Sequence, residues 1–385
     1  MNQTEQVLLQ AIQKSLWNRD IGFPEDADWN AVLKEAEKQA ILGIVAPAAP
    51  EQIQIEWESK VGHVPVNFIR ILHYQDGLCR LLREADIPFV ILKGTAAAMY
   101  YPDPTQRTMG DIDYLVPEAH FDRAAALLTE NGYSVDEKEQ TRRHIQLYKD
   151  SISFEQHHFF SSGNVNIEPY IMPGVEKAET RNIYGKSFPV LPKLENGLVL
   201  LAHLAQHLRS ALGLRQIIDW MLYVHTELDD LFWEQRFHPA AQEAGLETIA
   251  LTATRMCQKY LGLPDQIEWC KTADEALCDM LLERVLFSGN FGKKLGEGFK
   301  VEHVARRIKQ DGLFRTLQTA GEEKWAAYHR HAWLRPFAWI YQIGRYAKQG
   351  FQSKRSGMQL KEDIMRSNQS KELLDKLNIR ECEKA

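Results

Sequence analysis

The stretch Phe89-Val90-Ile91-Leu92-Lys93-Gly94-Thr95-Ala96-Ala97-Ala98-Met99, followed by Met109-Gly110-Asp111-Ile112-Asp113-Tyr114-Leu115-Val116, decides the fold. Its first part is a short continuous apolar run, suited to a strand buried on both faces, that breaks at a glycine and passes into helix-prone alanines. Its second part starts with an acid-apolar-acid alternation, which a strand converts into two carboxylates on one face with Ile112 behind them. The order is therefore strand, glycine turn, helix, polar loop from Tyr101 to Gly110, strand, with Pro117 as terminator.

Upstream, apolar residues recur at helical spacing over Thr4 to Trp17, Asp28 to Ile44 and Val66 to Ala85, the last stopping before Pro88. Downstream, helix Phe121 to Glu130 closes at Asn131-Gly132. Candidate strands follow at Tyr133–Val135, His144–Lys149, Ile152–Phe160 and Val165–Tyr170. After Pro192 the pattern becomes helical, with segments at Gly197–Ser210, Arg215–Thr226, Leu231–Ala244 and Glu247–Leu261. The expected class is α/β (α+β): a mixed sheet with flanking helices, helices at the amino terminus and an all-helical carboxyl-terminal region. The expected boundaries are an N-terminal helical segment over 1–85, an α/β core over 86–190, a helical domain over 191–350, and a charged helical or partly disordered tail over 351–385.

The chain has 385 residues, is 44% hydrophobic and 25% charged, and carries a formal net charge of −6. Two or three packed units fit that length. The negative balance gives no global electrostatic case for long nucleic acid and favours small substrates or proteins as partners. Five cysteines without a CxxC pair argue against a disulfide framework or zinc ribbon and for a reducing cytoplasm. No signal peptide and no run of membrane-spanning length is apparent, so neither export nor membrane insertion is expected.

Asp111 and Asp113 lie close enough to repel one another, an arrangement that makes most physical sense around a divalent cation such as Mg²⁺ or Mn²⁺. At Lys93-Gly94-Thr95 the backbone N–H groups and a hydroxyl can cradle phosphate, with Lys93 either touching phosphate or capping the strand end. A third acid, as further ligand or as base, is sought at Glu168 in Val165-Asn166-Ile167-Glu168, with Glu155 on the preceding strand as its rival. Arg107 and Arg215 are candidate phosphate contacts, set against a solvated loop arginine and a helical ion pair of Arg215 with Asp219. His203 and His207 share a helix face, better suited to packing or lining a cleft than to a zincin site. His157 and His158 are adjacent on a strand, so only one of them can face a cleft. Lys293, Lys294, Arg306, Arg307 and Lys309 form a basic stretch, read as a solvated helix face.

Taken together, these residues resemble the DNA polymerase beta-like nucleotidyltransferase superfamily, whose pattern is a strand, a Gly-Ser turn opening a helix, a strand bearing Asp-x-Asp, and a later third acid. Residues 87–94, Tyr101, Arg107 and 109–116 look more closely like the bacterial group of uncharacterised nucleotidyltransferases. The similarity continues through Gly132-Tyr133 and Arg215-Gln216-Ile217-Ile218-Asp219-Trp220 to about residue 260. The resemblance implies that Asp111 and Asp113 bind catalytic metal, that Gly94 and Thr95 hold the phosphates of an ATP-like nucleoside triphosphate, and that Glu168 takes or approaches the third-acid position. The implied reaction moves a nucleoside monophosphate to an unknown acceptor, with pyrophosphate released.

Two departures stand out. Threonine replaces the usual serine, and the expected third-acid strand reads Asn166-Ile167-Glu168-Pro169 where relatives have an acid followed two residues later by histidine. That irregularity raises a competing class, a catalytically degenerate nucleotide-binding or scaffold protein of the same fold. A metal-dependent phosphohydrolase would share the paired carboxylates but release phosphate without pyrophosphate.

Overall fold

A computed structural model describes residues 1–136, 144–161, 163–290 and 368–379, together with isolated positions between 312 and 344. The basic stretch from Lys293 to Lys309 and most of the tail beyond 351 lie outside the described residues. The chain divides into one unit comprising 1–294 with 377–385 and a second spanning 295–376. In the second, the described residues are helical at 314–315, 317–318, 338–341, 343–344 and 368–376.

The first unit opens with α1 (Gln3–Trp17), held by a capping box in which Asn2 and Glu5 satisfy each other's backbone N–H. Asp28 caps α2 (Trp29–Lys38) by accepting from the Ala31 backbone N–H. The single helix expected from Asp28 to Ile44 is interrupted at Ala40, whose φ of 57° is incompatible with helix, and resumes as one turn over Leu42–Val45. The next helix, α3 (Glu51–Glu84), begins well before Val66 and runs through Pro65. Its apolar face, including Phe68, Ile71, Leu72, Leu78 and Leu82, covers one side of the sheet.

The sheet has seven strands: β1 (Val90–Leu92), β2 (Asp111–Leu115), β3 (Ser134–Val135), β4 (His144–Lys149), β5 (Ile152–His157), β6 (Glu179–Ile183) and β7 (Lys186–Val190), in spatial order β3-β4-β5-β2-β1-β7-β6. It is mixed: β1 runs antiparallel to β2 and parallel to β7, and β2 runs parallel to β5. Ile112, Tyr114 and Phe154 are fully or almost fully buried on the face turned to α3, at about 1.5–3 kcal/mol each for large apolar side chains. Tyr114 donates from its hydroxyl to Gln156 Oε1, and Gln156 Nε2 donates to the Phe121 carbonyl, so the buried glutamine is satisfied.

The strand expected over Val165–Tyr170 is corrected. Residues 168–176 form a helix, α4 (Glu168–Glu176), with Pro169 in its first turn, where a missing N–H costs nothing. The edge strand β6 and its neighbour β7 form a hairpin that sequence periodicity did not reveal. The helical region then follows with α5 (Lys193–Leu208), α6 (Leu214–Glu227), α7 (Glu247–Met256) and α8 (Glu275–Ser288), α7 and α8 packing together. Among the described residues no helix is long and apolar enough to cross a membrane.

Candidate active site

Strand pairing assembles the site. In β1 and β2, Leu92 is the partner of Asp113, so the turn residue Lys93 emerges directly beside that carboxylate. In β2 and β5, Asp111 faces Ser153 and Asp113 faces Glu155, while side chains two apart on each strand share a face. Asp111, Asp113, Glu155 and His157 therefore crowd onto one side of the central strands. They line a cleft of about 170 Å³ together with Lys93, Gly94, Arg107, His144, His203, Gln206, His207 and Arg215.

Lys93 Nζ lies 2.7 Å from Asp113 Oδ1, both side chains being nearly inaccessible. Its backbone sits at φ 48°, ψ −129°, a region that a residue with a Cβ occupies only under strain, and the following Gly94 has φ 28°. The strained turn aims the ammonium back over the strand ends. Asp113 Oδ1 also lies 3.0 Å from His157 Nε2, which is 3.3 Å from Glu155 Oε2. One ligand atom each from Asp113, Glu155 and His157 lies within 4.8 Å of the others, a grouping able to hold a metal ion.

The charges are strongly coupled. Burial, then the neighbouring Asp113, pushes the Asp111 carboxyl up to about 6. Burial also opposes ionisation of Asp113, but Lys93 and the His157 contact outweigh it and hold that carboxyl below the usual range. Burial works against protonation of Lys93 and of His157; the surrounding carboxylates overcome it and raise both.

The opposite wall is cationic and imidazole-rich. His203 and His207 sit four apart on α5 with their Nε2 atoms 2.8 Å apart, so one ring donates to the other. Burial, reinforced by Lys93, drives both well toward the neutral form, His207 to about 3. Burial and Arg107 lower the Arg215 guanidinium, whose Nη1 donates to the Thr108 carbonyl.

Three expectations are corrected by these placements. Glu168 does not share the carboxylate face: its Oε1 accepts from the backbone N–H groups of Phe160 and Ser161 at 2.6 and 2.7 Å, tying the chain after β5 to the start of α4. The Thr95 hydroxyl does not turn to the cleft, because it donates to Gln75 Oε1 of α3 at 2.6 Å in the buried interior. Arg107 is not a solvated loop residue. It is 3% exposed, and its Nε and Nη2 donate to the two carboxylate oxygens of Asp219, which also accepts from the Tyr101 hydroxyl. Asp219 thus gives both oxygens to Arg107, across the fold, rather than forming the local pair with Arg215 weighed against a phosphate role for that arginine.

His157 was not singled out as a ligand beforehand, yet its signal was present. Glu155-Gln156-His157 is an acid followed two residues later by histidine, the pattern sought in vain around Asn166.

The family model described as uncharacterised nucleotidyltransferase matches residues 25–262, which include every strand of the sheet and α5 and α6. Among solved structures the chain is similar to an antigenic nucleotidyltransferase-like protein from Paracoccidioides brasiliensis, at 14% identity and a TM-score of 0.32, over 50% of this chain and 92% of that one. No curated protein matches. With more than half of its length matched, the chain belongs to the uncharacterised nucleotidyltransferase family.

Proposed function

We propose that this chain is a metal-dependent nucleotidyltransferase of the DNA polymerase beta-like type, moving a nucleoside monophosphate from an ATP-like triphosphate to an acceptor hydroxyl or phosphate and releasing pyrophosphate. One observation carries the reading: Asp111, Asp113 and Glu155 converge on one cleft at the mouth of a strand-turn-helix, with the Lys93 ammonium held among them.

The donor set fits a divalent cation of the Mg²⁺ or Mn²⁺ kind. Carboxylate oxygens are its ordinary ligands, and the same carboxylates already enclose one positive charge, the Lys93 ammonium, 2.7 Å from Asp113. Asp113 and Glu155, with Asp111 beside them, would hold such an ion, which supplies neutralisation of the triphosphate and polarisation of the attacked phosphorus.

The chain's own residues supply the rest. Lys93, freed from Asp113, turns its ammonium to the phosphates, and Arg215 faces them from the other wall of the cleft. Gly94 lines the cleft at φ 28°, where the absence of a Cβ lets the phosphates approach the backbone closely. Asp111 opens onto the same cleft beside Asp113, and burial with that neighbour raises its carboxyl, a repulsion that a bound cation would relieve. His203 and His207, neutral through burial, give the acceptor hydrogen-bonding partners without added charge. The Arg107–Asp219 pair serves the site indirectly, fixing the loop that leads into Asp111.

The irregular strand around Asn166 was the reason to expect a degenerate scaffold. Glu155, directly opposite Asp113, supports the catalytic reading instead. The test measures pyrophosphate release and calorimetric binding for each nucleoside triphosphate with Mg²⁺ or Mn²⁺, in wild type and Asp113→Asn. Metal-dependent binding and turnover lost in the variant uphold the proposal. Absence of both in wild type favours the scaffold, and phosphate release without pyrophosphate favours a phosphohydrolase.

A further inference from the structure

One ring nitrogen converges on two carboxylates at the floor of the cleft. His157 Nε2 is 3.0 Å from Asp113 Oδ1 and 3.3 Å from Glu155 Oε2, and its ring is buried. A single N–H points along one direction, so one oxygen takes the hydrogen bond and the other is held by charge when the ring is protonated. With the ring neutral, a metal ion at the common focus would be met by all three donors. Two donors each about 2.1 Å from a shared ion, at right angles to one another, lie about 3.0 Å apart. Both separations from Nε2 are close to that value, and the three donor atoms together fit within 4.8 Å.

We infer that His157 is a metal ligand, and that the mixed shell of Asp113, Glu155 and His157 selects a first-row transition ion, Mn²⁺ ahead of Mg²⁺. This rests on the metal-dependent reading above and adds a ligand and a class of ion to it. Mg²⁺ is hard, gives up water reluctantly and is bound through oxygen. Imidazole nitrogen suits transition ions, whose affinity for such donors begins with Mn²⁺ and rises along the row. Alternation in β5 serves this arrangement: Glu155 and His157 point into the cleft, while Gln156 between them turns to the core and bonds Tyr114. Coordination uses the Nε2 lone pair, so the ring proton passes to solvent and the Lys93 ammonium withdraws from Asp113.

The test is electron spin-echo modulation of Mn²⁺ bound to the full chain, with unlabelled and ¹⁵N-histidine protein, alongside calorimetry of Mn²⁺ and Mg²⁺ with no nucleotide present. The expected result is modulation from a directly bound nitrogen that changes with the label. His157→Gln is expected to abolish it, weaken Mn²⁺ binding by about tenfold or more and leave Mg²⁺ binding little changed. Bound Mn²⁺ without nitrogen coupling in wild type overturns the inference while leaving metal-dependent transfer standing, and that measurement needs no variant to fold. A Mn²⁺/Mg²⁺ preference unaltered in a folded His157→Gln protein overturns it equally. If neither ion binds with or without nucleotide, the proposed function falls and this inference with it.

Discussion

Asp113 and Glu155 are direct partners across the parallel strands β2 and β5, so the two carboxylates open onto one cleft and share one buried counter-charge, the Lys93 ammonium. Their opposition makes Glu155, in β5, the proposed third acid of the site.

Glu155 and Glu168 should therefore part company on substitution. Glu155→Gln is expected to reduce metal affinity and turnover by about 10- to 100-fold. Glu168→Ala leaves two backbone N–H groups without their carboxylate, costing about 1–3 kcal/mol of stability, with turnover per folded molecule maintained. Kinetics and urea denaturation on the two variants check this, and a turnover loss at Glu168 in a folded protein would return it to the site.

Lys93→Met removes the cation from among buried acids. In the ion-free protein this should cost about 3–5 kcal/mol, the usual penalty for breaking a buried pair. Added Mn²⁺ should recover more stability in the variant than it adds to wild type, because the ion replaces the missing charge. Thermal unfolding with and without Mn²⁺ reads both effects.

The pH dependence at Asp111 has a definite sign. Its folded pKa, about 6, exceeds the ordinary aspartate value of 3.8, so between these values the folded state holds a proton that the unfolded state has lost. That contribution is complete below about pH 4 and disappears as pH rises through about 6. Asp111→Asn, which never ionises, should exceed ion-free wild type by about 1–3 kcal/mol at pH 7.5, with the gap closing toward pH 4. Urea midpoints across that range measure it. A gap independent of pH would contradict the raised carboxyl.

For the Arg107–Asp219 pair, Asp219→Ala should cost about 3–5 kcal/mol by leaving a buried guanidinium uncompensated. The double replacement Arg107→Met/Asp219→Leu should recover most of that loss. Recovery stays incomplete because the Tyr101 hydroxyl also loses its acceptor. Denaturation of Arg107→Met, Asp219→Leu and the double variant forms the cycle.

Thr95→Val removes the buried donor to Gln75 and should cost about 1–3 kcal/mol, while nucleotide affinity stays unchanged. A fall in affinity without a fall in stability would mean that the hydroxyl reaches the phosphates after all.

Much of the site was legible because it is local. Lys93-Gly94 at a strand end and Asp111-Ile112-Asp113 on one strand need only chain order and the two-residue period to put their chemistry on one edge. The β6–β7 hairpin was missed because an edge strand with exposed, polar positions lacks a strong alternating signal. The long reach of α3 was missed because Pro65 reads as a helix breaker, although packing of the apolar face beyond it sustains the helix.

The sequence by itself determined the class of the fold, the pairing of the two aspartates on one strand face, the glycine turn at Lys93-Gly94 and the family to which they point. Only the tertiary structure decided that Glu155 and His157, rather than Glu168, stand beside Asp113, that Thr95 turns to Gln75, and that Asp219 belongs to Arg107. The physical reason is that alternation settles which face a side chain takes on its own strand, whereas its neighbours depend on which strands pair and in what register. Pairing is fixed by burying apolar surface between segments far apart in the chain, and no local pattern records it.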